Sequence, residues 1–226
     1  MTVNRRKICI VTSTRADWGL LSGVARTLRD CPEVQLQIIA TNMHLDPRYG
    51  MTVNEIREVL VQMYAYTGFP RSLTGLNTFL ALLDERKAQG IHDEVGRDAA
   101  PLPENANIRE IGTANQTAVI GRPASGRVYE FAPVIDTFLK EHLFGDIFSR
   151  DVLTFQEREL ATVSALASLP AETQLRSHLN CCLVVGWTEA QMKAFVSVLE
   201  AKVGKAEADL AAKSLNTVLQ NRAQAR

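Results

Sequence analysis

Residues 151–191, DVLTFQERELATVSALASLPAETQLRSHLNCCLVVGWTEAQ, decide how the chain is read. Thr154 followed three residues later by Glu157 is a capping-box pattern, which opens a helix and accounts for Glu157 structurally. Phe155, Val163 and Leu166 make an apolar stripe on the helix Thr154 to Leu169, and Glu159 falls on that stripe. Its carboxylate is thus directed into apolar packing, a setting that disfavours the charged form of an acid. A second helix runs from about Glu172 to Val185, and His178 shares its face with Leu175, Leu179 and Cys182. An inward acid and an inward imidazole on adjacent antiparallel helices suit proton transfer near neutral pH. The same pattern fits a buried Glu–His hydrogen bond that only holds two helices in register. Cys181 and Cys182, within one turn of His178, read either as an activated thiol or, more commonly, as small buried hydrophobes. Another helix begins near Thr188.

Upstream, the reading is helical from Val53 onward. Ile56, Val59, Leu60 and Met63 make an apolar stripe ending near Gly68, and Pro70 starts a second helix through Leu76, Phe79, Leu80 and Leu83. The two are expected to form a hairpin. Between about Gly90 and Tyr129 apolar periodicity fades, so a long connection with one short element is expected there, then a helix around Phe131 to Leu143. His142, at the end of that helix, is an accessory candidate for the site, although a helix-end His more often interacts with the dipole. An internal repeat sharpens the pattern: setting Gly50-Met51-Thr52 on Gly186-Trp187-Thr188 aligns Ile56 with Met192, Leu60 with Val196 and Gly68 with Gly204 at one offset. The two helices preceding Gly186 have no counterpart before Gly50.

EIREVLVQMYAYTGFPRSL and ERELATVSALASLP…SHLNCCLVVGWTEAQ resemble the carboxymuconolactone decarboxylase family, which includes the alkyl hydroperoxidase D type of thiol peroxidase. The resemblance covers about Gly50 to Leu199. It implies an all-α, alkyl hydroperoxidase D-like helical hairpin that assembles into trimers or hexamers, with a small-molecule substrate. The peroxidase branch carries a Glu, a Cys-x-x-Cys pair and a His in one motif. Glu159 and His178 stand at the matching ends, nineteen positions apart, but the cysteine positions fall on Ala171 and Gln174. The branch without the cysteine pair implies general acid–base chemistry by Glu159 and His178 on a lactone or small carboxylate. A peroxidase using Cys181 or Cys182 with His178, and a non-catalytic helical oligomer, are the alternatives.

The first fifty residues read differently. KICIVTS (7–13) and VQLQIIA (34–40) are β-branched apolar runs that read as buried strands, with helical spacing of Leu20, Leu21, Val24, Ala25 and Leu28 between them. KICIVTSTRADWGLLSGVARTLRD and LQIIATNMHLDPRYGMTVNEI resemble the opening of the hydrolysing UDP-N-acetylglucosamine 2-epimerases. In that family the first turn contributes to UDP binding, which points to Thr14 and Arg15 as remote nucleotide-binding candidates; Ser13 replaces the family's usual Gly. The later strands, the second domain and the catalytic groups of that family have no counterpart, so epimerase activity is a remote reading. The sequence thus divides into a short β-α-β fragment, residues 1–49, and a mainly α domain, residues 50–226. Gly-Met-Thr-Val-Asn-Glu-Ile suits both families at the junction, which suggests a chimera.

Composition bounds the rest. Lys plus Arg and Asp plus Glu are equal at 25 each and scattered, so no overall field favours nucleic acid or anionic lipid. No apolar run approaches the roughly 18 residues of a membrane span, and the apolar stretch after the first seven residues is too short for a signal peptide, so a cytoplasmic protein with no membrane partner is expected. Cys9, Cys31, Cys181 and Cys182 form neither a Cys-x-x-Cys pair nor a zinc-finger spacing, so no disulfide framework, metal or cofactor is expected.

Overall fold

The computed structural model describes residues 6–12, 34–40 and 51–224, and the chain divides into two compact units, Met1–Val53 and Asn54–Arg226. It is mainly helical. In the first unit β1 (Arg6–Thr12) pairs in parallel with β2 (Val34–Ala40), Arg6 opposite Val34 and Thr12 opposite Ala40. The helix expected between them, with Thr14 and Arg15, lies outside the described residues.

The second unit begins with α1 (Val53–Gln62), the single turn α2 (Tyr64–Thr67) and the long α3 (Phe69–Ala88). The Ser72 hydroxyl donates to the Leu60 carbonyl at 2.7 Å, so α1 and α3 touch as a hairpin should. The buried stripe of α1, however, is not the expected apolar one. Asn54, Glu58 and Gln62 are buried, whereas Ile56, Val59, Leu60 and Met63 are only half-buried. The polar stripe wins because its partners are polar: Gln62 and Glu58 meet Arg158, which no solvent reaches. Along α3, Phe69, Leu73 and Leu80 are exposed at 61%, 55% and 58%, at spacings that place them on one uncovered face.

The connection after Gly90 holds more than one short element. Asn107 caps α4 (Ile108–Ile120), its side chain accepting from the amides of Arg109 and Glu110, and Gly121 closes the helix in the left-handed region at φ 83°. Helix α4 packs through Gly112, where a Cβ would lie 1.6 Å from the Lys140 carbonyl oxygen. That backbone-to-backbone approach leaves no apolar period to read. The single helix expected over Phe131 to Leu143 is instead α5 (Arg127–Phe131), α6 (Pro133–Thr137) and a π-helical segment, Phe138–Ile147. Pro133 cannot continue α5 and restarts the chain at the first position of α6.

Four helices complete the unit: α7 (Phe155–Ser168), α8 (Glu172–Val184), α9 (Glu189–Lys202) and α10 (Lys205–Gln224). Thr154 and Thr188 both form full capping boxes, with Glu157 and Gln191 respectively. Gly186, at φ 106°, makes the reversal between α8 and α9. The main core lies among these helices: Val163, Leu175, Leu179, Met192 and Ala211 are all sealed from solvent. A second cluster joins Val119 of α4 to Leu143, Phe144 and Ile147 of the π-helical segment and to Cys181 of α8.

Candidate functional site

Helix α7 carries two consecutive charged residues, both fully buried, that turn to different partners. Arg158 donates to Gln62 at 2.8 Å, to Glu58 at 3.0 Å and to the Arg150 carbonyl at 2.6 Å. Glu159 turns to α8, where its Oε2 lies 2.8 Å from Nδ1 of His178. The capping box at Thr154 starts α7 in the register that gives this division, and the apolar neighbours Val163 and Leu166 fix the inward face. When the carboxylate is ionised it can only accept, so Nδ1 then donates to it and Nε2 is the ring nitrogen left for proton exchange. The other carboxylate oxygen, Oε1, is buried with no hydrogen-bond partner among the described residues.

The immediate neighbours of the pair are an aromatic ring and two thiols. The Tyr66 ring meets His178 edge-on at 5.5 Å, and burial, then the nearby Glu159 charge, pushes the Tyr66 phenol well above its usual range. Cys181 and Cys182 are both free and buried. Burial, followed by the charge of Glu159, pushes the Cys181 thiol up to about 12 and the Cys182 thiol higher still. Neither is poised as a thiolate.

His178, Tyr66 and Cys181 all line a cavity of about 990 Å³. Arg122, Arg176 and Arg222 line it, and no Asp or Glu does among the described residues. Arg222 donates to Asn180 at 2.8 Å and Arg176 reaches Glu172 only at 3.9 Å. The cavity therefore presents an apolar wall, an imidazole and an excess of positive charge. Ala171 and Gln174, the positions where the peroxidase motif would carry its thiols, line it as well.

Of the residues singled out in the sequence, Glu159, His178 and Cys181 come together and Cys182 packs behind them in the core. His142 does not join them. It pairs with Asp146 at 2.7 Å and contacts the Tyr64 hydroxyl, half exposed on the π-helical segment. Tyr66 and the three arginines escaped sequence reasoning, since they arrive from α2, the end of α4, α8 and α10. Arg176 alone left a trace, two residues before His178 on the same helix.

No family model matches the chain. It is 45% identical over 56 residues, 25% of its length, to a GDP/UDP-N,N'-diacetylbacillosamine 2-epimerase (hydrolyzing) of Campylobacter jejuni. It is 52% identical over 52 residues, 23% of its length, to a UDP-N,N'-diacetylbacillosamine 2-epimerase (hydrolyzing) of Legionella pneumophila. The chain spans only 15% and 14% of the lengths of these two proteins. A 4-carboxymuconolactone decarboxylase of Acinetobacter baylyi is 29% identical over 89 residues, 38% of this chain and 66% of that protein. Two unrelated kinds of protein thus match one chain, each over a part of it, as in a chimera of two sources. Among the described residues no helix is long and apolar enough to cross a membrane.

Proposed function

We propose that the helical unit is a carboxymuconolactone decarboxylase-like catalyst in which Glu159 and His178 act as a general acid–base pair on a small carboxylate or lactone. The observation that carries this reading is the buried Glu159 bonded at 2.8 Å to a histidine that faces an arginine-lined cavity. Glu159 orients the ring and stabilises the imidazolium formed when His178 takes a proton; His178 exchanges that proton with the substrate. Guanidiniums without lining carboxylates favour an anionic ligand, and their fork geometry suits a carboxylate in particular. The similarity to a 4-carboxymuconolactone decarboxylase supports the same substrate class.

A thiol peroxidase is the weaker alternative, because Cys181 and Cys182 are buried and held protonated. Peroxide consumption abolished by the double change Cys181→Ser and Cys182→Ser would revive it. We also propose a cytoplasmic homo-oligomer, a trimer or hexamer as the resemblance implies, with the apolar face of α3 among the surfaces covered. The epimerase-like start is proposed to be a fragment without epimerase activity; heat on titrating UDP, lost in Arg15→Ala, would argue for nucleotide binding there. The decisive assay offers 4-carboxymuconolactone to the full chain and to His178→Asn. The variant should lose about 100-fold or more in turnover while keeping its helical circular dichroism. Equal turnover in the two proteins would remove His178 from the chemistry.

A further inference from the structure

We infer that Glu159, His178 and Cys181 form a three-ligand site for a divalent cation of the zinc type, with its fourth position open to the cavity. One ligand atom from each of the three lies within 4.8 Å of the others. His178 and Cys181 stand three residues apart on α8 and so share a face, while Glu159 comes from α7 opposite them. Cysteine spacing alone carries no hint of this, because the donors are drawn from two helices rather than from a thiol pair.

A second observation points to a ligand independently of that clustering. Glu159 is fully buried, and its Oε1 has no hydrogen-bond partner among the described residues. A buried carboxylate oxygen left unsatisfied is costly, and a cation satisfies it directly. The donor set selects the ion: thiolate and imidazole favour zinc over magnesium or calcium, which prefer oxygen. Tetrahedral zinc holds such donors about 3.3–3.8 Å apart, so modest side-chain adjustment closes the cluster around an ion. His178 and Cys181 both line the cavity, which puts the remaining position where water or an anionic ligand enters. The carboxylate and thiolate together supply two negative charges, matching the ion against the cavity arginines.

Binding exchanges the Glu159–His178 hydrogen bond for metal bonds and the Cys181 S–H bond for a sulfur–metal bond. If His178 binds through Nδ1 its proton passes to Nε2, the thiol proton leaves to solvent, and nothing is oxidised or reduced. The inference does not rest on the acid–base role proposed above: that role belongs to the metal-free chain, and a bound ion, by occupying both groups, would block it.

Titration calorimetry of Zn²⁺ into the chelator-stripped full chain, in buffers of different ionisation enthalpy, tests it. The expected result is one ion per chain with release of a proton, affinity at least about tenfold weaker in Cys181→Ser, and no change in Cys182→Ser. Co²⁺ added to Cys9→Ser/Cys31→Ser/Cys182→Ser protein, where Cys181 is the sole thiol, should give a thiolate-to-cobalt charge-transfer band. No stoichiometric site, an affinity indifferent to Cys181→Ser, or no band in the single-thiol protein would overturn the inference. These readouts are independent of turnover, so they stand or fall apart from the acid–base proposal.

Discussion

Glu58 and Arg158, a hundred residues apart in sequence, meet at 3.0 Å with their side chains 3% and 0% exposed. Their ion pair fastens α1 to the helix that carries Glu159. Burial pulls the Arg158 guanidinium below its ordinary range, and Glu58 opposes that pull. Removing one partner leaves an uncompensated buried charge, which costs about 3–5 kcal/mol. Glu58→Ala should therefore lower unfolding stability by that amount in urea. The double change Glu58→Ala with Arg158→Met should recover much of it. A loss below about 0.5 kcal/mol in the single variant would mean that the Gln62–Arg158 contacts suffice to hold α1.

Gly112 makes a second packing prediction. A methyl group there would overlap the Lys140 carbonyl oxygen at 1.6 Å, and backbone does not yield as a flexible side chain does. Gly112→Ala gains about 1 kcal/mol of helix propensity. It should nonetheless destabilise the protein by at least about 2 kcal/mol, because α4 must move off the π-helical segment. Urea unfolding of the variant measures the sign as well as the size.

These two sites show what was legible in the sequence. Helices α7 and α8 were readable because Thr154 and Glu157 announce the first cap and because Leu175 and Leu179 repeat at helical spacing. Glu159 and His178 followed from the same periodicity, since an acid and an imidazole on apolar stripes stand out. The polar stripe of α1 did not, because Asn54, Glu58 and Gln62 look solvent-facing until their distant partners are known. Nor did α4, which packs through a glycine and therefore lacks an apolar signal at its closest contact. The cavity arginines converge only through the packing of α4, α8 and α10, which no local pattern encodes.

The thiol of Cys181 sets a pH dependence. Its pKa is raised from 9.0 to about 12 by burial and by the charge of Glu159, so the folded state keeps the proton that the unfolded state loses. The corresponding stability is fully present below pH 9 and declines as pH rises toward about 12. In chelator-treated protein, the melting temperature should fall more steeply across that window for the parent than for Cys181→Ala. Iodoacetamide should label the folded thiol slowly at pH 8 and rapidly after unfolding in urea.

Arg222 tests the anionic character of the cavity. It lines the same cavity as His178 and has no ion-pair partner among the described residues. Arg222→Met keeps length and apolar contact while removing the charge. The account predicts a KM for a carboxylate substrate about tenfold higher, with kcat reduced far less, as expected when uniform binding is lost.

The central claim is that the Glu159–His178 pair does chemistry rather than merely joining two helices. The most direct measurement is kcat for 4-carboxymuconolactone in Glu159→Gln, taken beside its melting temperature. The account predicts a fall of about 100-fold in kcat with melting changed by only a few degrees, since Gln still reaches Nδ1 of His178. A variant that melts far earlier while turning over at the parental rate per folded molecule would contradict it and leave the pair a structural tie.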